Sequence, residues 1–379
     1  MKLQFDTTKP YALALEGGGA KGAYQIGAWR ALKEAGITVN AVSGTSVGAL
    51  NGALIAMGDL VKAENIWKNI SYSQVMDVDD DIMRSLMEGD LSRLNLLEAA
   101  ELFLDTLRNR GFDVTPLFQW MQEQVEEDKI RASETELYIV TFSLSEKRTL
   151  ELRASDLPEG KICEMLLASA YLPVFRNERL SGKRYTDGGI ADALPLHVLI
   201  DNGYRDIIAV RLYSNGLQRP VRIPSGTKIH MLLPSIDLGS LLDFRPEQSR
   251  RYLTAGYYDM LRLLYGLKGR EWYIDASLTE EEAHSILLEQ LQSFLLAAGR
   301  KATLRSIHEQ MLPTLARRLD ARKGDYRDLL IALLESAARE AQQERWRIYT
   351  EKELLEVLKD LFLNEEIREA LLHHRALKD

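Results

Sequence analysis

The sequence predicts an α/β protein: a mainly parallel sheet covered by helices on both faces, in three layers, followed by a C-terminal helical extension. Three observations carry that prediction. Apolar runs such as "YALALE", "TVNAVS", "LYIVTFSL", "DIIAVRL" and "KIHMLLP" recur through the first two thirds of the 379 residues. Near-continuous apolar strands are the mark of a sheet buried on both sides. Helical patterns lie between several of these runs, and beyond about Asp275 strand signals stop while amphipathic helices continue.

Taken in order, "YALALE" ends in Gly17-Gly18-Gly19 and leads into a helical pattern from Gly22 to Ala35. "TVNAVS" runs into Gly44-Thr45-Ser46-Val47-Gly48 and a small-residue helix from Val47 to Met57. "FSLSEKRTLEL" reads as an antiparallel hairpin, Lys161–Tyr171 as a helix, "RYTD" as a short strand and Leu194–Asn202 as another helix. Between Met76 and Asp128 there are 14 acidic residues against four basic ones. This is a helical insertion, either a cover for an active-site mouth or an ordinary solvated face. Pro246–Gly269 is expected to be a domain-closing helix packed on the sheet rather than a membrane-surface helix. Thr279 with Glu282, and Thr350 with Glu353, have capping-box spacing at the starts of later helices. The expected division is 1–275, with 76–128 as the insertion, and 276–379.

Composition narrows the function. With 48 Lys+Arg against 56 Asp+Glu, the chain is not a dedicated nucleic-acid binder. The single cysteine, Cys163, excludes an intramolecular disulfide framework and reads as a buried structural thiol. The uncharged stretch between Glu34 and Asp59 is interrupted by Asn40, Ser43, Thr45, Ser46 and Asn51, so it is read as strand, turn and helix rather than a membrane span. With no apolar core of signal-peptide length at the N-terminus, the expectation is a soluble, cytoplasmic protein.

Gly17, Gly19 and Gly22 satisfy G-x-G-x-x-G between a strand and a helix. A dinucleotide site also needs an acid at the end of the next strand, and "TVNAVS" passes into "GTSVG" without one. Ala20-Lys21-Gly22 does not fit a Walker loop either. What occupies that place is G-x-S-x-G, whose serine would stand on a sharp strand-to-helix turn with its hydroxyl near a helix N-terminus. A serine nucleophile needs a base. Of six histidines, His284, His308, His373 and His374 lie in the helical extension, and His197 and His230 read as packed or surface residues. Asp187 in "KRYTDGG" sits where a strand delivers a carboxylate into a turn, although alone it reads as a plain Asp-Gly turn. Asp77, Asp79, Asp81 and Glu88 have calcium-loop spacing, but Ile82 stands where the loop needs glycine, which argues against calcium.

Together, Gly17-Gly18-Gly19-Ala20-Lys21-Gly22, Gly44-Thr45-Ser46-Val47-Gly48 and Asp187-Gly188-Gly189 resemble the motif set of the patatin-like phospholipases, in that family's order. "ASAYLPVF" before the aspartate and "DALPL" after it look similar as well, and the resemblance spans roughly Lys9 to Leu267. It implies a Ser-Asp dyad, Ser46 as nucleophile and Asp187 as general base, with the Gly17, Gly18 and Gly19 amides as oxyanion hole. Gly22, Gly44, Gly48, Gly188 and Gly189 would support these turns. Lys21 would either attract an anionic head group or brace the glycine turn, or be a neutral surface lysine. The implied activity is a lipid acyl hydrolase of phospholipase A or lysophospholipase type, with no metal or organic cofactor and with peripheral membrane contact. The alternatives are a soluble carboxylesterase or acyltransferase with the same dyad, and a non-catalytic lipid- or partner-binding module. The C-terminal helices are the region left for a protein partner or an oligomer contact.

Overall fold

A computed structural model describes the chain apart from residues 89–110, 215, 300–302, 359–362, 364 and 373–379. Two compact units emerge, one of Leu3–Leu264 and one of Tyr265–Asp379 with Met1–Lys2.

The first unit is built on seven strands: β1 (Tyr11–Leu15), β2 (Val39–Thr45), β3 (Glu136–Ser143), β4 (Arg148–Arg153), β5 (Tyr185–Asp187), β6 (Asp206–Val210) and β7 (Lys228–Leu232). The order is β4-β3-β2-β1-β6-β7, with β5 added on β3. β1, β2, β3, β6 and β7 run parallel, while β4 and β5 are antiparallel to β3. Side chains alternate across the strands, so one face gathers Ala12, Ala14, Ala41, Val140 and Ala209 against Val198 and Leu199 of the helix Leu196–Asp201. The opposite face carries α2 (Val47–Met57), which lies on β1, β2 and β3, with α1 (Ala23–Glu34) and α3 (Leu60–Lys68) packed against α2. Gly52 of α2 lets that helix settle on Val42 and Leu137. The three-layer architecture follows.

The helix Pro246–Tyr265 takes a seat on α1. Gly27 faces the Leu253 carbonyl and Gly256 faces the Tyr24 carbonyl, and a Cβ at either position would overlap backbone. The crossing is therefore set by two glycines that a hydropathy pattern does not register. Part of the acidic insertion, including "LNLLEAAELFLDTLRN", falls outside the described residues. In the described part, Asp79 accepts from the Asp81 and Ile82 amides and starts the helix Asp80–Glu88.

The second unit begins earlier than expected, because Tyr273–Asp275 (β8) pairs in parallel with Ile348–Thr350 (β9). β9 is a strand in a region read as wholly helical, and three residues are too few for an apolar alternation to show. Leu287, Leu291 and Leu295 of the helix Glu280–Ala297 pack with Leu330, Leu333 and Leu334 of Tyr326–Glu340. Thr279 and Glu282 form the complete capping box. At Thr350 only half of the box forms: its hydroxyl accepts from the Glu353 amide at 3.2 Å, while the Glu353 carboxylate turns to Arg347. Cys163 is half-buried rather than buried, and desolvation pushes its thiol up to about 11. Among the described residues no helix is long and apolar enough to cross a membrane.

Candidate active site

Parallel strands bring their carboxyl ends to one edge of the sheet, the usual place for a site in an open α/β fold. β1 is followed there by Glu16 and the glycine turn, and β2 by Ser46. The sharp turn puts Ser46 at φ 56° and ψ −128°, a strained conformation for a residue with a side chain. Its neighbours permit the strain: a Cβ on Gly44 would overlap the Gly48 carbonyl, and one on Gly48 would overlap the Leu15 carbonyl. Ser46 occupies the N-cap of α2, yet its hydroxyl caps nothing. The Ser46 amide donates to Ser169 Oγ at 2.8 Å, and Ser169 Oγ donates to the Val140 carbonyl at 2.6 Å. Backbone bonding thus fixes the elbow without recourse to the Ser46 hydroxyl.

Asp187 reaches the same place through strand register. β4 occupies one side of β3, and β2 pairs with the other side as far as Thr45 opposite Val140. β5 takes the vacated positions, with Asp187 opposite Thr141, the next residue along. Gly188 makes the fit possible, since a Cβ there would lie 2.5 Å from the Val140 carbonyl oxygen and 2.9 Å from Thr45 Cγ2. Asp187 is 5% exposed and accepts from the Gly189 amide at 2.7 Å. Burial pushes its carboxyl up to about 6, against the pull of the Ser46 side chain and the Gly189 amide, both of which favour the charged form.

The glycine turn is divided in its bonding. The Gly17 amide donates to the Ala193 carbonyl at 3.0 Å, and the Ala20 amide to the Leu241 carbonyl at 2.8 Å. The Gly18 and Gly19 amides between them have no acceptor among the described residues. Lys21 Nζ lies 3.5 Å from the Leu212 carbonyl, bracing the loop beside the turn. A Cβ on Gly22 would come within 2.7 Å of the Trp67 ring.

Ser46 and Gly19 open onto an apolar slot walled by Leu50, Leu54, Trp67, Phe175 and Phe244. The polar groups beside it are internally matched. Trp67 Nε1 donates to Asn51 Oδ1 at 2.9 Å, Asn51 Nδ2 to Gln25 Oε1 at 2.8 Å, and Gln25 Nε2 to the Glu16 carbonyl at 2.7 Å. The wall is left to hydrocarbon.

Sequence reasoning missed the supports behind the elbow. Ser43 Oγ and Thr45 Oγ1 each donate at 2.9 Å to the carbonyls of Pro195 and Asp192, so "DALPL" is stitched to β2. His197 stands behind that segment. Its Nε2 is 2.7 Å from Glu151 Oε1, and its Nδ1 touches Asp192 Oδ2 at 2.7 Å outside hydrogen-bond alignment. Burial opposes its charge, but the two carboxylates prevail and raise the imidazole to about 9. His197 is a packed charge in a cluster of its own, and His230 packs on Phe5 with ring centroids 4.5 Å apart. The signal available for Ser169 was a lone hydroxyl in the otherwise apolar "MLLASA"; nothing near His197 in the chain named Glu151.

Residues 13–200 match the family model of the patatin-like phospholipases. Through this domain the chain belongs to the patatin-like phospholipase family. It is 27% identical over 213 residues to the rat (Rattus norvegicus) "Patatin-like phospholipase domain-containing protein 7", a match covering 54% of this chain and 14% of that protein. It is 50% identical over 64 residues to "Lysophospholipase NTE1" of Chaetomium globosum, covering 17% of this chain and 4% of the fungal protein. The chain therefore spans only a small part of these relatives. Among solved structures it is similar to VipD from Legionella pneumophila, with 16% identity, a TM-score of 0.44, and coverage of 98% of this chain and 93% of that one.

Proposed function

We propose that the protein hydrolyses a carboxylic ester of an acyl lipid, in the manner of a phospholipase A or lysophospholipase. The observation that carries this reading is the Ser46 hydroxyl, which lies beside a buried carboxylate and lines an apolar slot. Asp187 accepts the hydroxyl proton as Ser46 Oγ attacks the ester carbonyl, and the Gly18 and Gly19 amides receive the resulting oxyanion. Collapse expels the alcohol portion, which takes the proton from Asp187 and leaves an acyl-serine. Asp187 then takes a proton from water, hydroxide equivalent adds to the acyl carbonyl, and the fatty acid leaves as Ser46 regains its hydrogen. The Gly17 amide, already bonded to Ala193, supports the turn rather than joining the hole. The slot accommodates hydrocarbon, and the relatives named as phospholipase and lysophospholipase support lipid esters as the substrate class.

The test is mass spectrometry of the products after incubation with a mixed lipid extract, with Asp187→Asn as control. Free fatty acid and the matching deacylated lipid are expected with wild type alone. No release above the control, together with turnover of a soluble short-chain ester, would replace this reading by a soluble esterase.

A further inference from the structure

The glycine turn has a support that the proposed reaction does not itself use. Glu16, the last residue before Gly17, is fully buried, a placement a carboxylate adopts only when its oxygens are occupied. Its partners all come from the segment following β6. Oε2 accepts from Arg211 Nε at 3.0 Å, from the Leu212 amide and from the Tyr213 amide at 3.1 Å, and Oε1 accepts from Ser214 Oγ at 3.1 Å. Tyr213 has a φ of 49°, a left-handed conformation that a tyrosine keeps only when its surroundings impose it. The Leu212 side chain then lies against the glycine turn, where a Cβ on Gly18 would come within 2.9 Å of Leu212 Cδ1. Lys21 Nζ meets the Leu212 carbonyl from the other end of the turn. One buried carboxylate thus ties the residues after β6 to the end of β1, and the loop it holds is the surface on which Gly18 rests.

We infer that Glu16 is a positioning residue that pre-organises the oxyanion hole, by holding the Arg211–Ser214 segment against Gly18 so that the Gly18 and Gly19 amides keep their aim. This rests on the reading of those amides as the oxyanion donors. A preorganised donor acts on charge that develops in the transition state, so its displacement appears in kcat while substrate binding is spared.

The test uses the purified full chain and a soluble short-chain ester. Glu16→Gln is expected to lower kcat by about 10–100-fold with KM held within about twofold. Affinity for an acyl trifluoromethyl ketone, whose serine hemiketal places an oxyanion in the same hole, should fall in parallel with kcat. A folded Glu16→Gln with unchanged kcat overturns the inference, as does a fall in kcat with undiminished ketone affinity. If Glu16→Gln does not fold, Ser214→Ala and Arg211→Met each remove one arm and are expected to lower kcat by about 2–10-fold at constant KM. Unchanged kcat in both would equally overturn it. A wild type inert to esters and to the ketone sinks the hydrolase reading itself, whereas an active wild type beside an unaffected Glu16→Gln sinks only the role of Glu16.

Discussion

The two units bury carboxylates in different ways. In the Tyr265–Asp379 unit, Glu335 Oε1 receives three successive amides, from Arg270 at 2.7 Å, Glu271 at 2.7 Å and Trp272 at 2.9 Å. Glu351 Oε2 receives those of Ser277 at 2.6 Å and Leu278 at 2.8 Å. These acids fasten turns. In the Leu3–Leu264 unit, Glu16 is bonded in the same manner, but Asp187 has a single amide and the neighbouring Ser46. Donors of this kind fasten the backbone around the acid. Asp187, which burial pushes up to about 6, holds its proton more tightly, and that proton affinity is what a general base requires.

That contrast is open to direct attack. The largest effect expected is from Ser46→Ala, which should lower turnover by about 10⁴-fold or more and abolish labelling by a fluorophosphonate. Retained labelling would move the nucleophile elsewhere. Asp187→Asn should lower turnover by about 10²–10⁴-fold, yet stabilise the fold at neutral pH. The sign follows from linkage. Burial pushes the folded carboxyl up to about 6, above the ordinary 3.8, so the stability it contributes is present at low pH and is lost as pH rises through about 6. Removing the buried charge should therefore give about 1–3 kcal/mol above that pH in denaturant melts, a gain that fades toward pH 4. Destabilisation by the same substitution would place Asp187 with the turn fasteners. In wild type, kcat/KM should rise with pH through a midpoint near 6, and a profile flat from pH 5 to 8 would contradict Asp187 as base. Glu335→Ala marks the other side of the comparison. It should cost about 2–4 kcal/mol by stranding the three amides, while turnover per folded molecule stays unchanged.

The parallel strands of the first unit were legible because each is built around an apolar run, and the elbow because glycine at 44 and 48 is a local requirement of the turn. The less visible features depend on partners far away in the chain. The Gly17 amide is taken up by the Ala193 carbonyl, which arrives from far along the chain. His197 is held by Glu151 and Asp192, which its own helix does not announce. The slot draws its walls from α2, α3, Phe175 and Phe244, separate stretches whose meeting no periodicity reports. β9 and the start of the second unit escaped notice because a three-residue strand has too little pattern to read. Glu16 was in plain sight before the glycines, but its burial depends on the segment after β6.

The register of β2 and β5 on β3 has an evolutionary consequence. Because Thr45 and Asp187 face consecutive residues of one strand, the spacing between serine and aspartate is measured by that strand's own rise. It does not depend on the length of chain between them. The acidic insertion and the segments beside it can lengthen, shorten or change composition while the pair stays in step. Substrate preference in this scaffold is thus free to diverge in the intervening chain without recalibrating the chemistry.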